Sequence, residues 1–221
     1  MIRPVRRLAF CLGLLLCCLA RVQASDIQYR SSIGMTKQIA AQWKLAFNDG
    51  IRFRAGDHEL HYADSDMGLD YSGLAPWLDV SFYLKWSTQE DDDGHWQQEV
   101  RPVWNATVKH EFLGVTLMDR SRIEYRERQV DKDAWRYRNE LKAEMPFTLT
   151  PLKLKPYCAD EIWFRLDGTG FYKNRVVAGV TLLISERVTG NVYYYWDKVT
   201  DDGDVDWEEH NVIGFKLNVA F

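Results

Sequence analysis

The chain has 221 residues, 46% of them apolar and 27% charged, with a formal net charge of −4. An acidic balance argues against nucleic acid as a partner, because phosphate recognition favours a basic surface. After residue 24 no apolar run approaches the length of a spanning helix, about eighteen residues, so if the protein crosses a membrane, strands must carry it.

The chain begins with Arg3, Arg6 and Arg7, an apolar stretch from Leu8 to Ala20, and small residues at Val22-Gln23-Ala24. This reads as a secretory signal over 1–24, cut after Ala24. It carries four arginines and no acid, so its loss takes the formal charge from −4 to −8. Cys11, Cys17 and Cys18 leave with it; neither Cys17 nor Cys18 follows the small residue of a lipidation site. Cys158 alone remains, so the mature chain can form no internal disulfide. An exported chain without disulfides needs another source of stability, and a closed hydrogen-bonded barrel in lipid is one.

Residues 25–38 read as an N-terminal periplasmic segment, and residues 39–221 as ten strands of alternating apolar character. The first runs from Ile39 to Arg54, although Asn48-Asp49-Gly50 could make a hairpin turn there. The second spans Leu60 to Ser72. Leu78 to Ser87 alternates most cleanly, with Leu78, Val80, Phe82, Leu84 and Trp86 on one face. Then come Trp96 to Glu111, Val115 to Arg128, Trp135 to Met145, Leu152 to Leu166, Asn174 to Ser185, Asn191 to Asp197 and Trp207 to Phe221. Pro102 and Pro156 fall inside two of these, where each removes a ladder donor.

The links Glu90–His95, Gln129–Ala134, Asp167–Tyr172 and Lys198–Asp206 are acidic or glycine-containing, and alternation puts them at one end. The links near Gly73–Pro76, Phe112–Gly114, Pro146–Pro151 and Glu186–Gly190 fall at the other. An even strand count would bring both termini to the periplasmic side and place the acidic links outside the cell. Trp77, Trp86, Trp96, Trp135, Trp196 and Trp207 lie near strand ends, where indoles form an interfacial girdle.

The last strand carries Ile213, Phe215, Leu217, Val219 and Phe221 on one face. An aromatic terminus on the apolar face has the form of an outer-membrane assembly signal, made of Phe215, Leu217, Val219 and Phe221. The opposite phase of the wall is densely charged. Arg120, Arg122, Glu124 and Arg126 share one strand face, Arg136, Arg138 and Glu140 the next, and Glu99, Arg101, Glu161 and Arg175 continue the pattern.

The motifs Arg120-Ser-Arg-Ile-Glu124-Tyr-Arg126, Trp135-Arg136-Tyr-Arg138, Lys155-Pro-Tyr157 leading to Glu161-Ile-Trp-Phe164, and Asn174-Arg175 followed by Gly179 resemble a domain-of-unknown-function family, number 2490, of Gram-negative outer-membrane proteins. The resemblance spans most of the mature chain and is specific mainly from Arg120 onward. It implies a barrel and supplies no catalytic residues.

The expectation is therefore an all-β, antiparallel up-and-down transmembrane barrel of about ten strands with a charged lumen, in a bacterial outer membrane. Neither a cofactor nor a metal is called for. Small barrels are filled by side chains, so paired Arg and Glu would plug the lumen in a structural role; the alternative is a narrow transport path resembling a porin. Outer-membrane lipids and lipopolysaccharide are the expected partners, with periplasmic chaperones and the barrel-assembly machinery during biogenesis. A lipid-modifying enzyme at the outer rim is the competing reading, drawing on Ser65 with His61, or on His58 with Asp57, with His95 nearby. A third is a soluble lipocalin-like barrel with the apolar phase turned inward. The acidic run Asp201–Asp206 could hold calcium but lacks the EF-hand ligand order, and reads as a solvated turn. Cys158 falls on the lipid face.

Overall fold

In a closed sheet every backbone donor finds a neighbour, and the side chains divide between an inside and an outside. The structure, a computed structural model, describes residues 27–56, 58–91, 93–150, 152–168, 170–200 and 207–221. The expected signal at 1–24 and the acidic run 201–206 lie outside the described residues.

Eleven strands close into one barrel: β1 (Ile27–Ala40), β2 (Trp43–Arg54), β3 (Leu60–Ala75), β4 (Leu78–Glu90), β5 (Trp96–Phe112), β6 (Val115–Arg128), β7 (Ala134–Glu144), β8 (Lys155–Arg165), β9 (Gly170–Ser185), β10 (Val188–Thr200) and β11 (Trp207–Ala220). Each strand pairs antiparallel with the next, and an odd count makes the closing pair parallel. β1 lies along β11 from Ile27↔Asn211 to Thr36↔Ala220. The Phe221 N–H then donates to the Thr36 carbonyl at 2.9 Å.

The expected first strand is corrected. Residues 25–38 do not precede the barrel: from Ile27 onward they are wall, and Gln42 sits in a tight link before β2. The outward face of β1 reads Tyr29, Ser31, Ile33, Met35, which dilutes the apolar alternation, and Ala41-Gln42 carries none of the usual turn residues. Asn48-Asp49-Gly50 is no hairpin but the middle of β2, with Gly50 opposite both Ser32 and Asp64. A Cβ on Gly50 would stand 3.1 Å from Asp64 Oδ1 and 3.3 Å from Arg30 Nη2, so the glycine makes room for an ion pair.

The odd count also parts the ends of the wall. Ile27 opens at the end from which the acidic links leave, which we call the loop end, whereas Phe221 lies at the other, the turn end. The two groups of links do segregate as the alternation predicts. The longest turn-end link, between β7 and β8, carries a bridge of its own, Leu149↔Leu154.

The apolar phase faces out, which excludes the inverted, lipocalin-like arrangement. Phe82, Trp104, Ile123, Leu141, Val192, Ile213 and Phe215 are exposed on the outer wall. Trp86, Trp96 and Trp135 are exposed there and Trp77 is exposed in the turn between β3 and β4, while Trp196 and Trp207 are half-buried. Towards the loop end, rings run in series: Trp104 to Trp135 at 6.0 Å and Trp135 to Tyr125 at 5.1 Å, then Phe164 to Phe171 and Phe171 to Trp207, each at 5.6 Å.

Inside, tyrosine rings lie over glycines of the next strand: Tyr83 over Gly68, Tyr157 over Gly179 and Tyr193 over Gly214. A Cβ at Gly214 would collide with the Tyr193 ring. Gly214→Val is therefore expected to destabilise the barrel by about 2 kcal/mol or more through overpacking; urea unfolding in detergent micelles, followed by tryptophan fluorescence, measures it.

Candidate functional site

Pairing β6 with β7 sets Glu124 directly opposite Arg136, and the inward phase of β5 to β9 brings more charges to the same depth. Glu124 is 1% exposed. It accepts from Arg136 Nε at 2.8 Å and Arg138 Nη1 at 2.8 Å, with Arg122 Nη1 at 3.4 Å. Arg138 also donates to Glu161 Oε1 through Nε at 2.9 Å and Nη2 at 2.6 Å. Arg120 joins Glu140 at 3.0 Å and reaches towards Glu161 at 3.7 Å.

A second acid does the same work on the far wall. Asp197, also 1% exposed, takes both arms of Arg175 at 2.5 and 2.7 Å and the Lys173 ammonium at 2.7 Å. Between the two clusters stands Trp163, 3% exposed, with the cationic groups of Arg138, Lys173 and Arg175 at 4.8, 5.3 and 5.2 Å from its ring. The Arg175 guanidinium lies 3.9 Å over Tyr195. These are desolvated cation–π contacts, which hold the cations over apolar surface.

Towards β1 and β5 the network continues. Asp64 pairs with Arg30 at 2.9 Å and with Lys85. Glu99 accepts from Arg101 at 2.6 and 2.7 Å and from Arg126 at 2.5 and 2.9 Å. Asn105 links the halves, accepting from Arg122 at 2.6 Å and donating to Ser81 at 2.9 Å. Buried Val103, Tyr172, Tyr195 and Val212 fill the space between.

The ion-pair network has a cavity on each side. Towards the turn end a space of about 400 Å³ is lined by Asp66, Asp70, Tyr83, Arg120 and Lys216 among others. Towards the loop end, one of about 430 Å³ borders Glu99, Arg101, Arg126 and Arg128.

All eleven charged residues that the alternation predicts for the lumen point inward, and each has an ion-pair partner. Phe215 and Phe221 are exposed, and Leu217 and Val219 half-buried, on the outer face at the seam. Sequence reasoning missed Arg30, assigned to a segment before the barrel, and gave no role to Asp197, Trp163 or Tyr195. Parity could have found the last three. Trp163 shares its phase with Glu161 and Arg165, and Asp197 follows Tyr195 on the face opposite Arg175.

Among the described residues offered for an enzyme at the rim, Ser65 and His61 are not brought together. Ser65 faces outward and donates to Asp49 Oδ1 at 2.5 Å. His61 lies four residues back along β3, about 13 Å by strand rise. His58 is exposed, Asp57 lies outside the described residues, and His95 Nδ1 is 3.8 Å from Asp91. Cys158 is exposed on the outer wall, as its phase predicts.

A profile of the family described as "Protein of unknown function (DUF2490)" matches residues 28–208. The chain belongs to that family. The match begins at Gln28, so it takes in β1 as well as the charged strands. No curated protein matches the sequence. Among solved structures the chain is similar to LpxR from Salmonella typhimurium, at 9% identity over 83% of this chain and 84% of that one, with a TM-score of 0.48.

Two acids order the links at the loop end. Asp91 accepts from Gln97 Nε2 at 2.9 Å and the His95 N–H at 2.8 Å, which together hold its carboxyl below the usual carboxylate range. Asp133 is held down likewise, by the Arg128 N–H at 3.0 Å and the Tyr125 hydroxyl at 2.9 Å.

Two outcomes are expected. Glu124→Ala leaves Arg136, Arg138 and Arg122 without their shared acceptor and should cost about 3 kcal/mol. Glu144→Ala, whose partners Lys142 and Lys155 are partly solvated, should cost less than about 1 kcal/mol; paired urea titrations compare them. Because the folded values of Asp91 and Asp133 are depressed, their contribution is present above the unfolded value and lost as pH falls through the folded one. Acidification should thus lower the protection factors of the His95 and Arg128 amides, each rate being referred to the intrinsic exchange rate at the same pH, while the other strand amides keep theirs.

Proposed function

We propose that this protein is a bacterial outer-membrane β-barrel with a non-enzymatic, structural role, whose lumen is held shut by its ion-pair plug. One observation carries the reading: charge is gathered inside the barrel while large apolar side chains stand exposed around its outer wall. Exposed apolar surface on that scale marks contact with lipid or a partner. In lipid, a closed barrel is the sheet that leaves no unpaired edge.

The signal-like segment 1–24 supports export, and the aromatic rings near the loop end fit an interfacial girdle. With the short turns on the periplasmic side, as in outer-membrane barrels, the acidic links would face outward, towards lipopolysaccharide and the cations that bridge its phosphates. A narrow transport path would need the Glu124 and Asp197 clusters to part, each of which would strand buried charge.

The test is planar-bilayer recording of the protein extracted from membranes in detergent, with folding checked by heat-modifiable migration. The folded barrel is expected to be silent, and a variant carrying Glu124→Ala with Glu161→Ala to show brief conductance steps. Stable ohmic steps in the unaltered protein would replace the structural role with a pore. Recovery of the protein in the soluble fraction without detergent would overturn the membrane reading itself.

A further inference from the structure

The outer wall is mostly apolar, and its largest group of polar side chains lies across four adjacent strands, among aromatic and aliphatic neighbours. Across β6 to β9, Asp119, Ser121, Asn139, Asp160 and Asn174 all point outward, and Asp119 and Asp160 are exposed. Asn139 Nδ2 donates to Asp119 Oδ1 at 2.6 Å, and Asn174 Nδ2 to Asp160 Oδ1 at 2.7 Å. Among the described residues, nothing donates to the second carboxylate oxygen of Asp160. The second N–H of Asn139 has only a long 3.4 Å approach to Ser121 Oγ.

Asn139 and Asp160 are the midpoints of β7 and β8: each is the sixth of eleven residues. In a spanning barrel that is the depth at which polar groups are most costly, and such groups mark sites of interaction. The register makes a square of Asn139↔Ile162 and Leu141↔Asp160. Strand tilt turns this square on its corner. The row Asp119↔Leu141↔Asp160 climbs towards the loop end, from nine residues below the end of β6 to five below the end of β8. Asn139 and Asp160 therefore sit side by side at one height, with Ile162 above and Leu141 below.

The geometry points to a homodimer through this wall, with a two-fold axis parallel to the barrel axis between β7 and β8. The operation exchanges left and right at constant height, so Asn139 of one copy meets Asp160 of the second, twice. The N–H of the amide that makes only the long approach to Ser121 donates to the second oxygen of the acid, in surroundings with no water to compete. Leu141 and Ile162 then lie near the axis, each against its own copy. Asp49 and Ser65, the outward polar pair on the opposite wall, satisfy each other and offer no such match.

This inference rests on the membrane reading, and the experiment separates the two. Protein extracted from membranes is weighed in detergent by native mass spectrometry across a dilution series, with heat-modifiable migration run on every sample. A dimer is expected. Asp160→Leu and Asn139→Leu, which remove a contact made twice, should each raise its dissociation constant about tenfold or more while migration stays heat-modifiable. Leu141→Cys in a Cys158→Ser background should cross-link to its own copy with a short bismaleimide, and the Cys158→Ser protein alone should not. A heat-modifiable barrel that stays monomeric at all concentrations overturns the dimer and leaves the membrane reading standing. Dimers unaffected by both Leu substitutions overturn this interface. Protein that needs no detergent overturns both readings.

Discussion

Closure of the backbone ladder at the parallel β1–β11 seam is the constraint on which the other features depend. A sheet left open there would present two long edges, and an unpaired edge is intolerable in lipid and adhesive in water. Once the ladder closes, alternate residues have only two places to go. Charge on one phase of every strand is forced into a common interior, and apolar side chains on the other phase become the exterior.

That interior can be built only if desolvated charges meet their partners. Removing Arg and Glu from water costs several kcal/mol per ion, which a pair recovers only with good geometry and further hydrogen bonds. Glu124 and Asp197 satisfy this by serving several cations each, and Trp163 and Tyr195 offer ring faces to the same cations. Glycines complete the fit. Gly50 leaves room for Arg30 to reach Asp64, and Gly214 for the Tyr193 ring. Such a lumen resists rearrangement, because moving one member leaves another buried and unpaired.

The outer wall obeys the opposite rule, and its few polar residues are informative for that reason. Asp49 and Ser65 neutralise each other locally. Asn139 and Asp160 retain capacity at the mid-depth of the wall, where a donor or acceptor from elsewhere would be held tightly.

Period-two alternation made the barrel legible from the sequence, because side-chain direction in a strand is a local property. It placed the charged phase of β5 to β9 and the grouping of links by end. It failed for β1, where Ser31 interrupts the apolar face and Ala41-Gln42 turns without a turn residue, and it left Asn48-Asp49-Gly50 open between strand and hairpin. Both points are settled by partners distant in sequence: β11 supplies the ladder for β1, and Asp64 and Arg30 occupy the space above Gly50. The sequence by itself determined which side chains share a face, and hence an all-β barrel with charge on one side. Tertiary structure alone decided the odd strand count, the parallel seam, and which acid serves which cation, because those follow from closing the sheet into a ring, and closure joins residues that no local pattern relates.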